Sequence, residues 1–293
     1  MAFLLKNVYN HSITNMKNNY FIDCERMKYP NTGLYKFCEH LGWSLLKQKN
    51  ENEEISFYVS PNELNYFGKE FNYLKQNFIH KLFFPKISKN AVWHTTYQET
   101  EYFPYHTKNP LVLTIHDINF MHSSEKSAYK KKYLLRQLKA KISRANHIVF
   151  ISEFVKNNVN EFIDLDLRNC SVVYNGCNFY KDISITDPKQ KHQRDFLFTI
   201  SSISPKKNIH VLPALLVNND FDLIIAGNNH DKKYIQLILN EAKKINVENR
   251  VIFTGPLSEN DKNWYYLNCK AFLFPSLAEG FGMPVVEAMS FGK

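Results

Sequence analysis

The sequence lacks a long apolar run and contains few cysteines. No apolar stretch approaches the ~18 residues that span a bilayer, and the N-terminal Ala2-Phe3-Leu4-Leu5 is too short for the core of a signal peptide. The five cysteines are odd in number and include no C-x-x-C pair, which indicates neither a disulfide framework nor a zinc site. We therefore expect a cytoplasmic protein that is neither exported nor integral to a membrane.

Length and composition predict two folded domains. A chain of 293 residues is long for one core, since a domain commonly holds ~100 to 200 residues. Apolar residues make up 44% and aromatic residues 15% of the chain, so the protein can bury large cores and is not a disordered polymer. The formal charge of +9 favours a polyanionic partner, with a phosphate, a nucleic acid and an anionic membrane as the alternatives.

Short runs of β-branched and aromatic residues alternate with longer helix-like stretches, which is typical of parallel α/β units. A polar segment with the sequence KDISITDPKQKHQR, at 181–194, indicates a linker. We place the domain boundary there, with domains at 1–183 and 184–293. The predicted strands lie at 20–24, 55–59, 91–94, 111–115, 147–151 and 171–174 before the linker, and at 196–200, 222–226, 250–254 and 271–274 after it.

The segment AFLFPSLAEGFGMPVVEAMSFGK at 271–293 predicts a strand, a glycine-containing turn and a helix. A helix N-terminus presents unpaired N–H groups and a partial positive charge to an anion, and Gly280 and Gly282 allow a ligand to approach the backbone closely. Glu279 and Glu287 flank this site and can accept hydrogen bonds from the hydroxyl groups of a ribose and a sugar. The segment therefore predicts a site for a phosphate that carries hydroxyl-bearing groups.

The spacing Glu279-x7-Glu287 within EGFGMPVVEAMSFGK closely resembles the E-x7-E motif of retaining glycosyltransferases of family 4. The resemblance runs from about Tyr20 to the last residue. It implies the α/β GT-B fold, with two facing Rossmann-like domains and parallel sheets. Because family members continue beyond Lys293, we expect the C-terminal domain to be incomplete. Supporting segments in the family's order are WHTTYQ, LTIHDINF, HIVFISEFVKNNV, VVYNG, FLFTISSISPKKN, LIIAG and RVIFTG.

The resemblance implies a catalytic set of Glu279, His116 and Lys207. Glu279 would contact the donor sugar or its phosphate, His116 matches a family histidine near that sugar, and Lys207 matches the lysine that contacts the diphosphate. Lys206 stands beside it, where many relatives carry arginine. Two cations would stabilise the charge on the leaving diphosphate, so we expect no metal and no other cofactor.

Further residues of the donor site follow from the same resemblance. Glu287 would hold the ribose, and Gly280, Phe281 and Gly282 would form the turn around the phosphates. Ser202 lies in the donor loop, where relatives usually have arginine or threonine. On the acceptor side, Gly33 in PNTGLYKF resembles the small residue of the N-terminal loop at the cleft.

The predicted function is transfer of a sugar from a UDP- or GDP-linked donor to a glycan or lipid-linked acceptor, with retention of anomeric configuration. By family resemblance, the setting is the biosynthesis of a polysaccharide or surface glycan such as lipopolysaccharide. The alternative is a truncated, non-catalytic remnant that binds a nucleotide or acts as a partner protein at a membrane surface.

A basic stretch at Lys126–Arg144 contains eight Lys or Arg and no acid. Two interpretations stay open: a helix packed on the core with a solvated basic face, or peripheral contact with anionic lipid at the inner face of the plasma membrane. Asp164-Leu165-Asp166 has the D-x-D form of metal-dependent transferases, but we expect a loop without a metal there. Nucleic-acid binding is not expected, because no recognition-helix, zinc-finger or RNP-type motif occurs.

Overall fold

A computed structural model describes residues 18–30, 32–123, 126–177 and 194–293. The chain divides into two compact units between Asn175 and Gly176. The boundary predicted between residues 183 and 184 lies outside the described residues, as does all of the predicted linker except Arg194.

The first unit is built on a parallel sheet that has seven strands within its described residues. Its strands are β1 (Asn18–Asp23), β2 (Glu53–Val59), β3 (Asn72–Lys75), β4 (Val92–Thr95), β5 (Leu111–Ile115), β6 (His147–Phe150) and β7 (Cys170–Val172). They lie in the order β3-β2-β1-β4-β5-β6-β7. In this register, Tyr20 of β1 lies opposite Ile55 of β2 and Val92 of β4. Every residue of β4, β5 and β6 is buried, as expected for a parallel sheet covered on both faces.

Three of the four α-helices described in the first unit begin at hydroxyl caps. Thr32, Ser127 and Ser152 each accept a hydrogen bond from a backbone N–H of the first turn that follows, at 3.2, 3.3 and 3.1 Å. Such caps satisfy donors that have no partner inside the helix. The helices are α1 (Gly33–Gln48), α2 (Asn119–His122), α3 (Ala128–Arg144) and α4 (Glu153–Asn160).

The second unit has a parallel sheet of four strands in its described part, with β8 (Phe196–Ile200), β9 (Asp222–Ala226), β10 (Val251–Gly255) and β11 (Ala271–Phe272) in the order β10-β9-β8-β11. Its helices are α5 (Lys232–Lys244), α6 (Glu259–Asn268) and α7 (Met283–Ser290). Two cores enclose the sheet. One includes Leu212 and Ile238, and the other includes the aromatic side chains of Trp264, Tyr265 and Tyr266.

The predicted α/β class with parallel sheets is confirmed, and every predicted strand is present with ends shifted by at most two residues. The sequence analysis missed β3, which lies at the edge of its sheet. Its first and last residues, Asn72 and Lys75, are exposed and polar, so the strand shows no sustained apolar pattern. Within the described residues, no helix combines the length and apolarity that a bilayer span requires.

We predict that Gly42→Ala destabilises the first unit. A β-carbon at Gly42 of α1 would lie 2.5 Å from the ring of Phe67, which is buried and stacked on Phe57 with 4.1 Å between ring centroids. Overpacking of this kind typically costs ~1–3 kcal/mol, more than alanine gains in helix propensity. Urea unfolding would measure the loss. Gly33→Ala in the same helix is the control, because its β-carbon would meet no atom within 4 Å. Equal stability of the two variants would contradict the prediction.

Candidate functional site

The turn before α7 ends at a glycine in a left-handed conformation. Gly282 caps α7 with φ of 79° and ψ of 43°, a left-handed conformation that glycine adopts without steric cost. Val285 donates its backbone N–H to the Gly282 carbonyl at 2.9 Å, which closes the first turn of the helix. Gly280 and Phe281 lie in the bend just before this cap. The structure therefore places all three predicted turn residues at the N-terminus of α7.

Lys207 and Glu279 form an ion pair through Nζ and Oε1. Both side chains are largely shielded, with 14% and 26% of their surface exposed, and the Lys207 ammonium lies 5.2 Å from the centre of the Phe274 ring. Leu277 donates its backbone N–H to the Lys206 carbonyl at 3.0 Å. These contacts join the Pro205–Lys207 turn after β8 to the segment after β11, so the structure brings the predicted diphosphate and sugar residues together.

Glu287 accepts two hydrogen bonds from α6. Lys262 Nζ donates to its Oε1 at 3.0 Å, and the Tyr266 hydroxyl donates to its Oε2 at 3.0 Å. Burial opposes the charge on Lys262, but Glu287 and Glu259 together raise its pKa above the ordinary value. Burial, reinforced by the Glu287 carboxylate, also raises the pKa of Tyr266. Both groups therefore keep their protons and remain donors.

Sequence reasoning missed Lys262 and Tyr266. Their spacing of four residues places them on one face of α6, which is the signal that the sequence offers. It does not show that this face contacts Glu287. Ser202, which was predicted for the donor site, lies exposed in the loop between β8 and the Pro205–Lys207 turn.

His116 and Gly33 belong to the first unit. His116 follows β5, and its Nε2–H donates to the Thr96 carbonyl at 2.8 Å. Its ring meets the Phe37 ring edge-on, with centroids 4.6 Å apart, and Phe37 belongs to the helix that Gly33 begins. Burial lowers the pKa of His116 to about 4. The imidazole is therefore neutral at pH 7, and with Nε2 as the donor its Nδ1 is left as an acceptor.

The D-x-D segment lies outside regular secondary structure, as expected. Asp166 pairs with Arg168 at 3.0 Å. In the portions of the chain that are described, no group of three or more His, Cys, Asp or Glu side chains is arranged to hold a metal ion. Independence from metal stays a prediction.

Comparison with known proteins finds a family model that matches part of the chain. Residues 181–293 match the family glycosyl transferases group 1. The chain is 27% identical over 180 residues to the O-antigen chain mannosyltransferase RfbU of Salmonella typhimurium, covering 61% of this chain and 49% of that protein. It is 30% identical over 171 residues to the serotype-specific mannosyltransferase WbdA of Escherichia coli, covering 52% of this chain and 20% of that protein. The chain thus spans about half the length of the first relative and a fifth of the second.

Solved structures share the fold across nearly the whole chain. Sucrose-phosphate synthase from Thermosynechococcus elongatus superposes with a TM-score of 0.68 at 14% identity, covering 94% of this chain and 80% of that one. The Anabaena protein HepE, solved in complex with UDP and glucose, gives a TM-score of 0.67 at 16% identity, covering 94% and 79%. At such identities the likeness establishes the fold alone, and it confirms the predicted GT-B class.

The neutral state of His116 predicts a pH effect on stability. The ordinary pKa of 6.5 falls to about 4 in the folded chain, so between these values the unfolded state binds the extra proton and stability falls as pH falls. His116→Gln keeps a side-chain donor for Thr96 but cannot titrate. We expect this variant to lose less stability than the wild type between pH 6.5 and pH 4 in urea titrations. His106→Gln is the exposed control, and parallel curves for all three proteins would contradict the prediction.

Proposed function

We propose that the protein is a retaining glycosyltransferase that moves a sugar from a nucleotide-diphosphate sugar to a glycan or lipid-linked acceptor. The observation that carries the proposal is the grouping of Lys207, Glu279 and the N-terminus of α7 at one end of the second sheet. Cations and helix N–H groups bind phosphate, and carboxylates bind hydroxyl groups. A nucleotide-diphosphate sugar presents both kinds of group.

The diphosphate would lie between Lys206, Lys207 and the amides near Gly282. Phosphate oxygens compete with Glu279 for the Lys207 ammonium, so donor binding would exchange one charge-assisted bond for another and free Glu279 to accept from a sugar hydroxyl. As the glycosidic bond to the phosphate breaks, negative charge grows on the leaving diphosphate. The two lysines and the helix dipole stabilise that charge without a reorganisation of the site.

Glu287 would accept hydrogen bonds from the ribose hydroxyls. An ionised carboxylate has about four lone-pair sites, and Lys262 and Tyr266 each occupy one, on different oxygens. The remaining sites can accept from the ribose. Because two donors on one helix fix the carboxylate, Glu287 meets the nucleoside in a set orientation, which lowers the entropic cost of binding.

In the first unit, neutral His116 would accept a hydrogen bond from a sugar hydroxyl, and Gly33 would leave room for the acceptor. Retention would follow from front-face attack, in which the leaving phosphate takes the proton of the acceptor hydroxyl. This route needs no metal and no protein nucleophile. The E-x7-E resemblance supports retention, and the solved complex of HepE with UDP and glucose supports a nucleotide-linked donor.

The relatives suggest the setting. RfbU is named as an O-antigen chain mannosyltransferase and WbdA as a serotype-specific mannosyltransferase. We therefore propose a role in assembling a surface polysaccharide, with a UDP- or GDP-linked sugar as the donor.

Glu287→Ala tests the donor site. We expect turnover to fall by about a hundredfold or more, because charge-assisted hydrogen bonds to the ribose contribute ~1.5–3 kcal/mol each. The variant should still fold, since Lys262 keeps its second carboxylate, Glu259, at 3.0 Å. Thermal melts against UDP, GDP, ADP and their sugar conjugates would show a shift for the wild type with one base and none for the variant.

Glu259→Ala is the matched control for this experiment. It removes the other carboxylate that Lys262 contacts at 3.0 Å and leaves Glu287 in place. Turnover and the melt shift should then stay near those of the wild type. Unchanged turnover in Glu287→Ala would refute the assignment of the donor site.

The basic helix α3 extends the proposal to a membrane surface. Leu138 is 3% exposed and Lys141 is 5% exposed, so this side of the helix packs on the first unit, while Lys130, Lys132 and Lys139 are exposed. Each basic residue near an anionic leaflet contributes ~1 kcal/mol. A lipid-linked acceptor would favour such a surface.

Charge reversal tests the contact of α3 with lipid. The triple variant Lys130→Glu, Lys131→Glu and Lys132→Glu should bind anionic vesicles more than tenfold more weakly at low salt, because each substitution removes an attraction of ~1 kcal/mol and adds a repulsion. Vesicle flotation would measure the change. Vesicle binding by the triple variant equal to that of the wild type would contradict the contact between α3 and lipid.

A further inference from the structure

One arginine of the first unit lies against two tyrosine rings. The guanidinium carbon of Arg26 is 4.6 Å from the centre of the Tyr29 ring and 4.7 Å from the centre of the Tyr97 ring. Arginine that stacks on aromatic faces keeps its N–H donors in the plane of the guanidinium, where they can bind an anion in pairs. Tyr29 is 44% exposed, so a ligand from solvent can reach this contact.

The guanidinium of Arg26 is not fully satisfied by the protein. Its Nε is buried and has no hydrogen-bond partner, although the residue as a whole is only partly buried. A buried donor of a charged group is costly without a partner, and most such groups in folded proteins have one. An anion bound to the same guanidinium would compensate its charge.

Nearby acids do not neutralise Arg26. Glu25 forms an ion pair with Lys28. Burial, reinforced by the charge of Glu25, raises the pKa of Asp23 to about 8, so this carboxyl is protonated and neutral at pH 7. Glu99 is exposed, and within the described residues it forms no ion pair with Arg26. The positive charge of Arg26 is therefore available to a ligand.

Arg26 lies where the strand order of the first sheet reverses. The chain forms β1, β2 and β3 toward one edge and then β4 to β7 on the other side of β1. Arg26 belongs to the Glu25–Lys28 turn that follows β1, and Tyr97 follows β4, which pairs with β1. Ligands of open α/β sheets bind beyond the carboxyl ends of the strands at such a reversal. Arg26 thus stands where this class of fold binds a ligand.

The first of the two tyrosines is joined to the loop of Gly33. Tyr29 donates its backbone N–H to the Arg26 carbonyl at 3.2 Å, and its own carbonyl accepts from Thr32 Oγ1 at 2.9 Å. Thr32 caps α1, whose first residue is Gly33. The residue predicted for the acceptor side therefore lies in the same short segment as Arg26.

The second tyrosine is joined to His116. Tyr97 precedes Gln98, whose Oε1 accepts the backbone N–H of His116 at 3.1 Å and whose Nε2 donates to the Asp117 carbonyl at 2.9 Å. Lys141 of α3 donates to the Gln98 carbonyl at 2.7 Å. These contacts fix the loop that carries Tyr97, so the ring is held in place against Arg26.

We propose that Arg26 binds an anionic group of the acceptor, either a phosphate of a lipid-linked acceptor or the carboxylate of a sugar acid. Both groups accept the paired N–H donors of a guanidinium. The proposed function assigns the donor diphosphate to Lys206 and Lys207 of the second unit, so an anion at Arg26 would belong to the other substrate. The assignment to the acceptor rests on the proposed function, whereas the binding of an anion at Arg26 does not.

NMR with isotope-labelled arginine detects the anion at Arg26 itself. The sequence contains six arginines, and the Nε–Hε signal that is missing in Arg26→Lys belongs to Arg26. The full chain would be titrated, without donor, with inorganic diphosphate and separately with glucuronate. We expect a saturable shift of the Arg26 signal with at least one of them. A shift with diphosphate alone would indicate a phosphate-bearing acceptor, and a shift with glucuronate alone would indicate a sugar acid.

Two controls separate a specific site from a weak attraction of anions. Arg168 is exposed and paired with Asp166, so its signal should move much less than that of Arg26. Lys207→Ala removes a lysine of the proposed donor site and should leave the saturation of the Arg26 signal unchanged. No shift at Arg26, an equal shift at Arg168, or loss of the shift in Lys207→Ala would each overturn the proposal.

Calorimetry would measure the contribution of Arg26 in proteins that all carry Lys207→Ala. We expect Arg26→Gln to bind the anion that shifts the Arg26 signal at least tenfold more weakly, because charge-assisted hydrogen bonds are lost. Arg26→Lys keeps the charge without the paired donors and should fall between. Arg168→Gln is the matched control and should bind as the parent does. Equal affinity of all these proteins would contradict the proposal, and if Arg26→Gln does not fold, Arg26→Lys carries the comparison.

The results for Arg26 and for sugar transfer are separable. A saturable shift at Arg26 in a chain that transfers no sugar would keep the anion site and overturn its assignment to an acceptor. Turnover that is lost in Glu287→Ala, together with an Arg26 signal that neither anion moves, would keep the proposed function and overturn the anion site.

Discussion

Parallel strand direction is the constraint on which the rest of this structure depends. In a parallel sheet all carboxyl ends lie at one edge, so the loops that follow the strands are gathered there. In the second unit, β8 and β11 are neighbours, which brings the Pro205–Lys207 turn to the segment that carries Glu279. In the first unit, the same rule places the Phe78–Lys81 turn after β3 and His116 after β5 at one edge. The grouping of side chains in each unit thus follows from the direction of its strands.

The sequence predicts a strand of these sheets only where burial of the whole strand produces a continuous apolar run. β5 and β6 are buried along their whole length, and their continuous apolar runs could be predicted. β3 could not, because its exposed ends break the run. The motif predicts Glu279 and Glu287 as site residues, but Lys262 contacts Glu287 across 25 positions of sequence, and such a contact leaves no pattern in the local sequence. The segment Phe78–Phe83 has the apolar composition of a buried segment, so only the fold shows that four of its side chains are exposed.

The charged side chains of the candidate site in the second unit form ion pairs. Lys207 contacts Glu279, and Lys262 contacts Glu287 and Glu259. A partly buried carboxylate without a partner would be costly, whereas a paired one retains its charge. The two lysines differ in the further contacts that hold their ion pairs. A tyrosine hydroxyl and a second carboxylate reinforce the Lys262 pair, which under the proposed function would give a fixed contact with a nucleoside. Lys207 lies against the Phe274 ring, and in the proposed complex it would exchange its carboxylate for a phosphate and keep that contact.

Tyr266 joins the core of the second unit to its site. Its ring stacks on Phe291 with centroids 5.6 Å apart and meets Phe198 edge-on at 5.4 Å. Its hydroxyl donates to Glu287. Aromatic packing fixes the ring, the ring fixes the hydroxyl, and the hydroxyl fixes one oxygen of the carboxylate. The orientation of Glu287 is therefore set by the same contacts that stabilise the unit, so a change in this aromatic core would alter the site even where it touches no ligand.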